Sequence, residues 1–231
     1  MSTEELISKF PVIQLGASCF SKLSEEKLNE LQEHKRQLTF QKGDIISKQG
    51  SFAPSVMFVL DGIVKEYIEG NASRNTNLRL VGQGEFIALS GLFNNKVSNY
   101  SVVALTDVTL CLFERDYLLS VIQENPEMSF QLIRRYSELE NSFFDLLHSH
   151  LYKQMHGKVA RALLYLHTFN TEHFNVFDYM SRKDLAEFAA VNTENAIRVL
   201  KNFEAEGLVR IHGKEIHVLN IEALERIYQK G

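Results

Sequence analysis

From Glu127 to His150 the chain runs without a glycine or a proline, directly after Pro126. Proline is favoured in the first turn of a helix, where its missing N–H costs nothing, so this segment predicts one helix reaching His150 or beyond. About 25 helical residues extend about 38 Å, more than one small β domain can cover. Along this helix Phe130, Ile133, Ser137, Glu140, Phe144, Leu147 and Leu151 recur at alternating steps of three and four, the spacing of a coiled-coil seam. Such a seam can pack on the chain's own β domain or on a second copy, and the helix length favours a homodimer. Ser137 and Glu140 interrupt it and should make its upper half the weaker part.

The helix separates two unlike textures. Upstream, from Arg36 to about Glu114, short apolar or alternating runs are punctuated by glycine, asparagine and aspartate: QLTF, KGDIIS, SVMFVLDG, IVKEYIEG, NLRLVGQG, SNYSVVAL and DVTLCLFE. Many short strands at this spacing predict an antiparallel barrel or jelly roll. A short helical run, DYLLSVIQENP, then stops at Pro126. Downstream, GKVARALLYLHTF is amphipathic, with Val159, Ala162, Leu163 and Leu166 on one face. The expected fold is α+β: an N-terminal antiparallel β jelly-roll with flanking helices over residues 1–125, a long dimerisation helix and hinge over 126–156, and a C-terminal winged helix-turn-helix over 157–231.

The last of these carries the functional reading. From Met180 the chain reads MSRKDLAEFAAVNTENAIRVLKNFEAEGLVRIHGKEIHVLN. Ser181 is a good N-cap, with Asp184 three residues on, ahead of the apolar positions Leu185, Phe188 and Ala189. Asn192 caps a second helix whose buried face is Ala196, Val199, Leu200 and Phe203. Two short helices, Gly207 and the strand pair LVRIHG and KEIHVL make a winged helix-turn-helix, whose second helix enters the DNA major groove by its N-terminal residues. There Thr193, Glu194 and Arg198 point outward, with Lys201 one turn further along; Ser181 and Lys214 complete the candidate DNA-binding set. Glutamate can accept from cytosine N4 and arginine can donate to guanine O6 and N7, so Glu194 and Arg198 are suited to one G·C region. The plainer reading is an exposed i, i+4 ion pair worth about 0.3 to 0.5 kcal/mol.

Bulk charge gives this no help. The chain carries a net charge of −4, and from Lys158 onward acids and bases are about balanced, so any positive face must come from local placement. That balance keeps open a second reading, a ligand-controlled protein-interaction module whose winged helix binds a protein partner. Cys19 and Cys111 are far apart and outside any metal-ligand spacing, His148, His150 and His156 diverge on a helix, and no histidine lies between Lys35 and Asp116. A metal-dependent jelly-roll enzyme, a haem and an iron–sulfur cluster are therefore disfavoured; no cofactor is expected and the protein reads as a non-enzyme. Met1 to Phe10 is mixed and acidic and no apolar run is long enough to span a bilayer, so a cytoplasmic protein without a membrane partner is expected.

Over nearly its whole length the sequence resembles the Crp/Fnr family, that of the cyclic-AMP receptor protein and the fumarate and nitrate reduction regulator. GEFIALSGLF (Gly84 to Phe93) with SNYSVVAL is similar to the family's phosphate-cassette region, and Glu194 with Arg198 matches its base-reading E-x-x-x-R pair. The resemblance implies a bacterial homodimer that binds palindromic double-stranded DNA and, if it activates, RNA polymerase. It also implies where a cyclic nucleotide would be held, and there the match fails. Members that bind cyclic AMP place a glutamate two residues before the glycine matching Gly91, and an arginine with a neighbouring serine shortly afterwards; here these positions are Leu89, Asn99 and Tyr100. Without the carboxylate and the cation a phosphodiester loses its charge-assisted bonds, so cyclic AMP is not expected. An apolar or neutral effector pocket remains, bounded by Phe86, Leu89, Ser90, Asn99, Tyr100 and, from the long helix, Phe143 or Phe144. In the turn of the motif, Ala190 stands in the left-handed position where members often have glycine, at a cost of about 1 kcal/mol.

Overall fold

The punctuated runs of the N-terminal half form strands in the computed structural model, which describes residue 20 and residues 23–70, 75–93 and 97–231. They are β1 (Lys35–Phe40), β2 (Ile45–Ser47), β3 (Ser55–Asp61), β4 (Val64–Ile68), β5 (Thr76–Val81), β6 (Phe86–Ile87), β7 (Ser101–Ala104) and β8 (Val108–Glu114). Helix α1 (Glu25–Glu33) precedes them, and the Ser24 hydroxyl accepts the Lys27 amide at its start. The strands build two four-stranded sheets, β1-β8-β3-β6 and β2-β7-β4-β5. The described registers are antiparallel, Lys35 facing Phe113 and Phe40 facing Val108 across the β1–β8 pair. Gly62 turns the chain between β3 and β4 at φ +86, and a Cβ there would stand 2.2 Å from the Asp107 carbonyl, so only glycine fits.

The continuous apolar run SVMFVLD is explained by a strand covered on both faces. Val56, Phe58 and Leu60 of β3 join a cluster with Phe20, Phe86, Phe113 and residues of the flanking helices, while Met57 and Val59 join Val64, Val102 and Leu110 between the sheets. Phe20, Phe58, Phe86 and Phe113 meet at centroid distances of 5.4, 5.5, 5.7 and 4.9 Å, mostly edge-on or tilted. Cys111 is buried in this layer, and burial pushes its thiol up to about 11, which keeps it protonated and unreactive. Cys19 lies outside the described residues.

Helix α2 (Arg115–Glu124) follows, then α3 (Pro126–Tyr152), 27 residues long and opened by proline as the sequence predicts. The second half holds α4 (Met155–His167), α5 (Arg182–Phe188), α6 (Thr193–Ala205), β9 (Val209–His212), β10 (Glu215–Val218) and α7 (Ile221–Lys230). Two elements lie beyond the sequence reading. The two-residue β6 is too short to show a period; α7 does show one, with Ile221, Leu224, Ile227 and Tyr228 at steps of three and four after Asn220, which accepts the Ala223 amide at 3.0 Å. Contacts divide the described residues into two compact units, one up to Ile68 together with Arg79–Glu140, the other Glu69–Leu78 together with Asn141–Gly231.

Within the second unit, one carboxylate joins three helices. Arg161 of α4, 7% exposed, donates Nε–H to Asp145 of α3 at 2.7 Å, and the Tyr228 hydroxyl of α7 bonds the other Asp145 oxygen. Burial pushes the Asp145 carboxyl up, but the bonds from Tyr228 and Arg161 outweigh it and hold it below the usual carboxylate range.

Candidate nucleic-acid interface

Local hydrogen bonds fix both helices of the predicted motif. Ser181 accepts the Asp184 amide at 3.1 Å while the Asp184 carboxylate accepts the Ser181 amide at 2.8 Å, a reciprocal capping box at the start of α5. Asn192 accepts the Asn195 amide at 2.7 Å and starts α6. Leu185 and Phe188 of α5 and Ala196, Val199, Leu200 and Phe203 of α6 are buried, as their spacing predicts. Between the helices Ala190 takes φ +50, the left-handed conformation expected of that turn. Burial of the inner face leaves Glu194, Arg198 and Lys201 exposed on the outer one, with Thr193 half-buried in the first turn. Arg198 turns to Asn195, donating Nη2–H to Oδ1 at 2.9 Å; among the described residues it forms no ion pair with Glu194. The i, i+4 pair that would have explained these two residues without a ligand is therefore not made. Lys214 is exposed in the two-residue turn between β9 and β10, where His212 faces Glu215. One outward residue was missed: Ile197, a large apolar side chain 37% exposed beside Arg198. A helical wheel would have shown it, because it falls opposite Val199 and Phe203.

The seam of α3 is uncovered in the single chain. Phe130, Ile133, Phe144, Leu147 and Leu151 are between 53% and 69% exposed, and Ser137 and Glu140 are exposed between them. A different face of the same helix, Met128 and Leu132, enters the core of the roll. The predicted dimer face is thus not the face that α3 uses against its own roll.

In the roll the expected pocket residues fall in two layers. Phe86 and Leu89 belong to the layer facing the helices, and Tyr100 packs against the layer between the sheets. Asn99 is exposed, and Ser90 lies in a short 3-10 turn, Leu89–Leu92, its side chain outside the described residues. Phe143 and Phe144 fall in the second compact unit and are exposed, 37% and 60%. Within the roll the interior is not neutral. Glu66 of β4, 1% exposed, receives Arg79 of β5 in a two-pronged pair, Nε to Oε2 at 2.7 Å and Nη2 to Oε1 at 3.2 Å. Arg79 also donates to the Phe86 carbonyl at 3.2 Å. The apolar-pocket expectation weighed the cassette residues alone and left out a glutamate and an arginine 13 positions apart on adjacent strands. Beside them the Tyr100 hydroxyl accepts the amide of Ala88, which sits at φ +60. Burial, with the Glu66 charge nearby, raises the Tyr100 phenol well above its usual range, so it stays neutral.

The three candidate histidines serve separate roles. His148 lies against the Tyr152 ring, His156 against Phe203, and the His150 imidazole, its pKa lowered by burial, donates Nε2–H to the Phe188 carbonyl at 3.2 Å. No group of three or more potential ligands among the described residues could hold a metal, and no described helix is long and apolar enough to cross a membrane.

A roll of two antiparallel sheets, a long helix with an open seam and a capped helix-turn-helix with a wing define a DNA-binding transcription regulator with a sensor-type domain. Comparison with known proteins gives the same class. Residues 37–125 match the cyclic nucleotide-binding domain family and residues 157–227 the Crp-like helix-turn-helix domain family. The CRP-like cAMP-activated global transcriptional regulator of Mycobacterium tuberculosis is 23% identical over 218 residues, 91% of this chain and 96% of the relative. The transcriptional activator protein anr of Pseudomonas aeruginosa is 25% identical over 203 residues, 86% of this chain and 83% of the relative. In fold the chain is similar to FixK2 of Bradyrhizobium japonicum, with a TM-score of 0.74 at 18% identity, covering 84% of this chain and 96% of that one. The chain belongs to the Crp/Fnr family of transcription regulators.

Proposed function

We propose that this protein binds a palindromic double-stranded DNA site as a homodimer in the bacterial cytoplasm, and that its roll answers a signal other than a cyclic nucleotide. The observation that carries the DNA reading is the outer face of α6: Glu194, Arg198 and Lys201 stand exposed on a helix whose start is fixed by Asn192. Arginine and glutamate there suit the two strands of a G·C region, and Lys214, Ser181 and Thr193 suit phosphates or base edges beside it. Pairing along the open seam supports two such helices one DNA turn, about 34 Å, apart. RNA polymerase is the partner if the protein activates. The alternative, a winged helix that binds a protein, is favoured by no contact or relative described above.

The mycobacterial relative is activated by cAMP, but this chain is poorly fitted to follow it. Leu89 and Asn99 supply neither carboxylate nor cation, and the Ala88 amide, in the cassette region, is already bonded to Tyr100. A phosphodiester would have to displace that bond, and Leu89 and Asn99 offer it no charge in return.

Selection from random duplex pools by the full chain tests the DNA reading: enrichment of a palindrome with half-site centres one turn apart is expected, and no enriched sequence, with or without effectors, overturns it. Titration with cyclic AMP followed by thermal melting tests the second clause. An unchanged melting temperature is expected, whereas a concentration-dependent rise overturns it.

A further inference from the structure

The tip of the wing is held by the helix-turn-helix itself. Arg182, the first residue of α5, donates Nη1–H to the Lys214 carbonyl at 3.1 Å and Nη2–H to the Gly213 carbonyl at 3.0 Å. These are successive carbonyls of the β9–β10 turn, where Gly213 takes φ +59 as the first central residue of a two-residue hairpin. On the other side, the Glu204 carboxylate in the last turn of α6 accepts the Ile211 amide of β9 at 2.9 Å. Glu204 and Arg182 also attract one another. Two side chains of opposite charge, one from each helix, thus strap the wing by three hydrogen bonds.

Val209 and Ile216 bury the base of the wing and Asn175 donates to the Ile216 carbonyl at 3.3 Å, but the tip of a two-stranded hairpin beyond them would be free to swing without the strap. Strapping fixes the distance from Lys214 to the outer face of α6, so both can meet the same stretch of duplex without an ordering cost at binding. We infer that Arg182 and Glu204 are positioning residues for DNA binding, acting through the wing and not by touching DNA. The inference rests on the DNA-reading surface proposed above.

Lysine at position 182 separates this role from a phosphate contact, since it keeps the charge but cannot grip two carbonyls at once. On the selected palindrome, with full-length protein, Arg182→Lys and Arg182→Ala should both bind about tenfold more weakly than wild type, with unchanged base preference. Each should flatten the salt dependence by about one phosphate contact per subunit, as Lys214→Ala does, and in the Lys214→Ala background Arg182→Lys should cost nothing further. Glu204→Ala should weaken binding and Glu204→Gln, which keeps an acceptor for the Ile211 amide, should restore most of it; this arm stands even if an Arg182 variant fails to fold. Wild-type affinity in Arg182→Lys, additivity with Lys214→Ala, or wild-type binding by Glu204→Ala would overturn the inference. Absence of any palindrome for the wild type would instead overturn the DNA reading beneath it.

Discussion

At the scale of single residues, the outer face of α6 holds a charged pair and an apolar neighbour. Among the described residues Arg198 is engaged by Asn195 and by a 3.7 Å contact with the Met155 sulfur, both of which a guanine edge can replace. Arg198→Ala should relax preference at one G·C pair, a loss of about 1 to 3 kcal/mol of discrimination, with other positions unchanged in competition binding against singly substituted sites. Ile197 is adjacent and exposed, and its apolar branch suits the 5-methyl group of thymine. Ile197→Ser should lower the preference for one T·A pair next to that G·C pair while leaving the melting temperature near wild type. An unchanged profile would remove Ile197 from the reading surface.

At the scale of elements, buried charge ties strands and helices together. The Arg79–Glu66 pair joins β5 to β4, and Arg79 also lies 3.8 Å from Glu85, which pairs with Arg135 of α3. Glu66 has almost no access to water, so Arg79→Met should leave a buried carboxylate without its main partner and destabilise the roll by about 3 to 5 kcal/mol in denaturant unfolding. Adding Glu66→Gln should recover much of that loss, because the uncompensated charge is gone. In the second unit, the lowered Asp145 carboxyl contributes stability that is present above its ordinary value near 3.8 and is lost as the pH falls through its lower folded value. Tyr228→Phe removes one of the bonds that lower it, so the variant should show a smaller loss of melting temperature on acidification in that range.

The whole molecule turns on α3, which runs from the first compact unit into the second. Five large apolar side chains left open at steps of three and four along a single helix are difficult to reconcile with a monomer in water. Sedimentation should therefore give a dimer, and Leu147→Asp, between Phe144 and Leu151, should dissociate it more completely than Ile133→Asp, which sits in the half interrupted by Ser137 and Glu140. Loss of the dimer should reduce binding to the full palindrome far more than binding to one half-site. Persistence of the dimer in both variants would place the interface elsewhere.

Much of this was legible in the residues alone, because it depends on local physics. Periodicity gave the long helix and its seam; Ser181, Asp184 and Asn192 gave the helix starts; glycine and aspartate spacing gave the strands. Glu194 and Arg198 could be named as outward residues because a helix of known register leaves only one face outward. The interior of the roll could not be read in this way. Whether Phe86 and Tyr100 share a cavity depends on which face of the roll each joins, and no short-range pattern encodes that. Arg79 and Glu66 lie 13 positions apart in the chain and form no local pattern; adjacent strands turn them inward together. The grip of Arg182 on the wing joins residues about thirty positions apart, and only the tertiary structure brings them within a hydrogen bond.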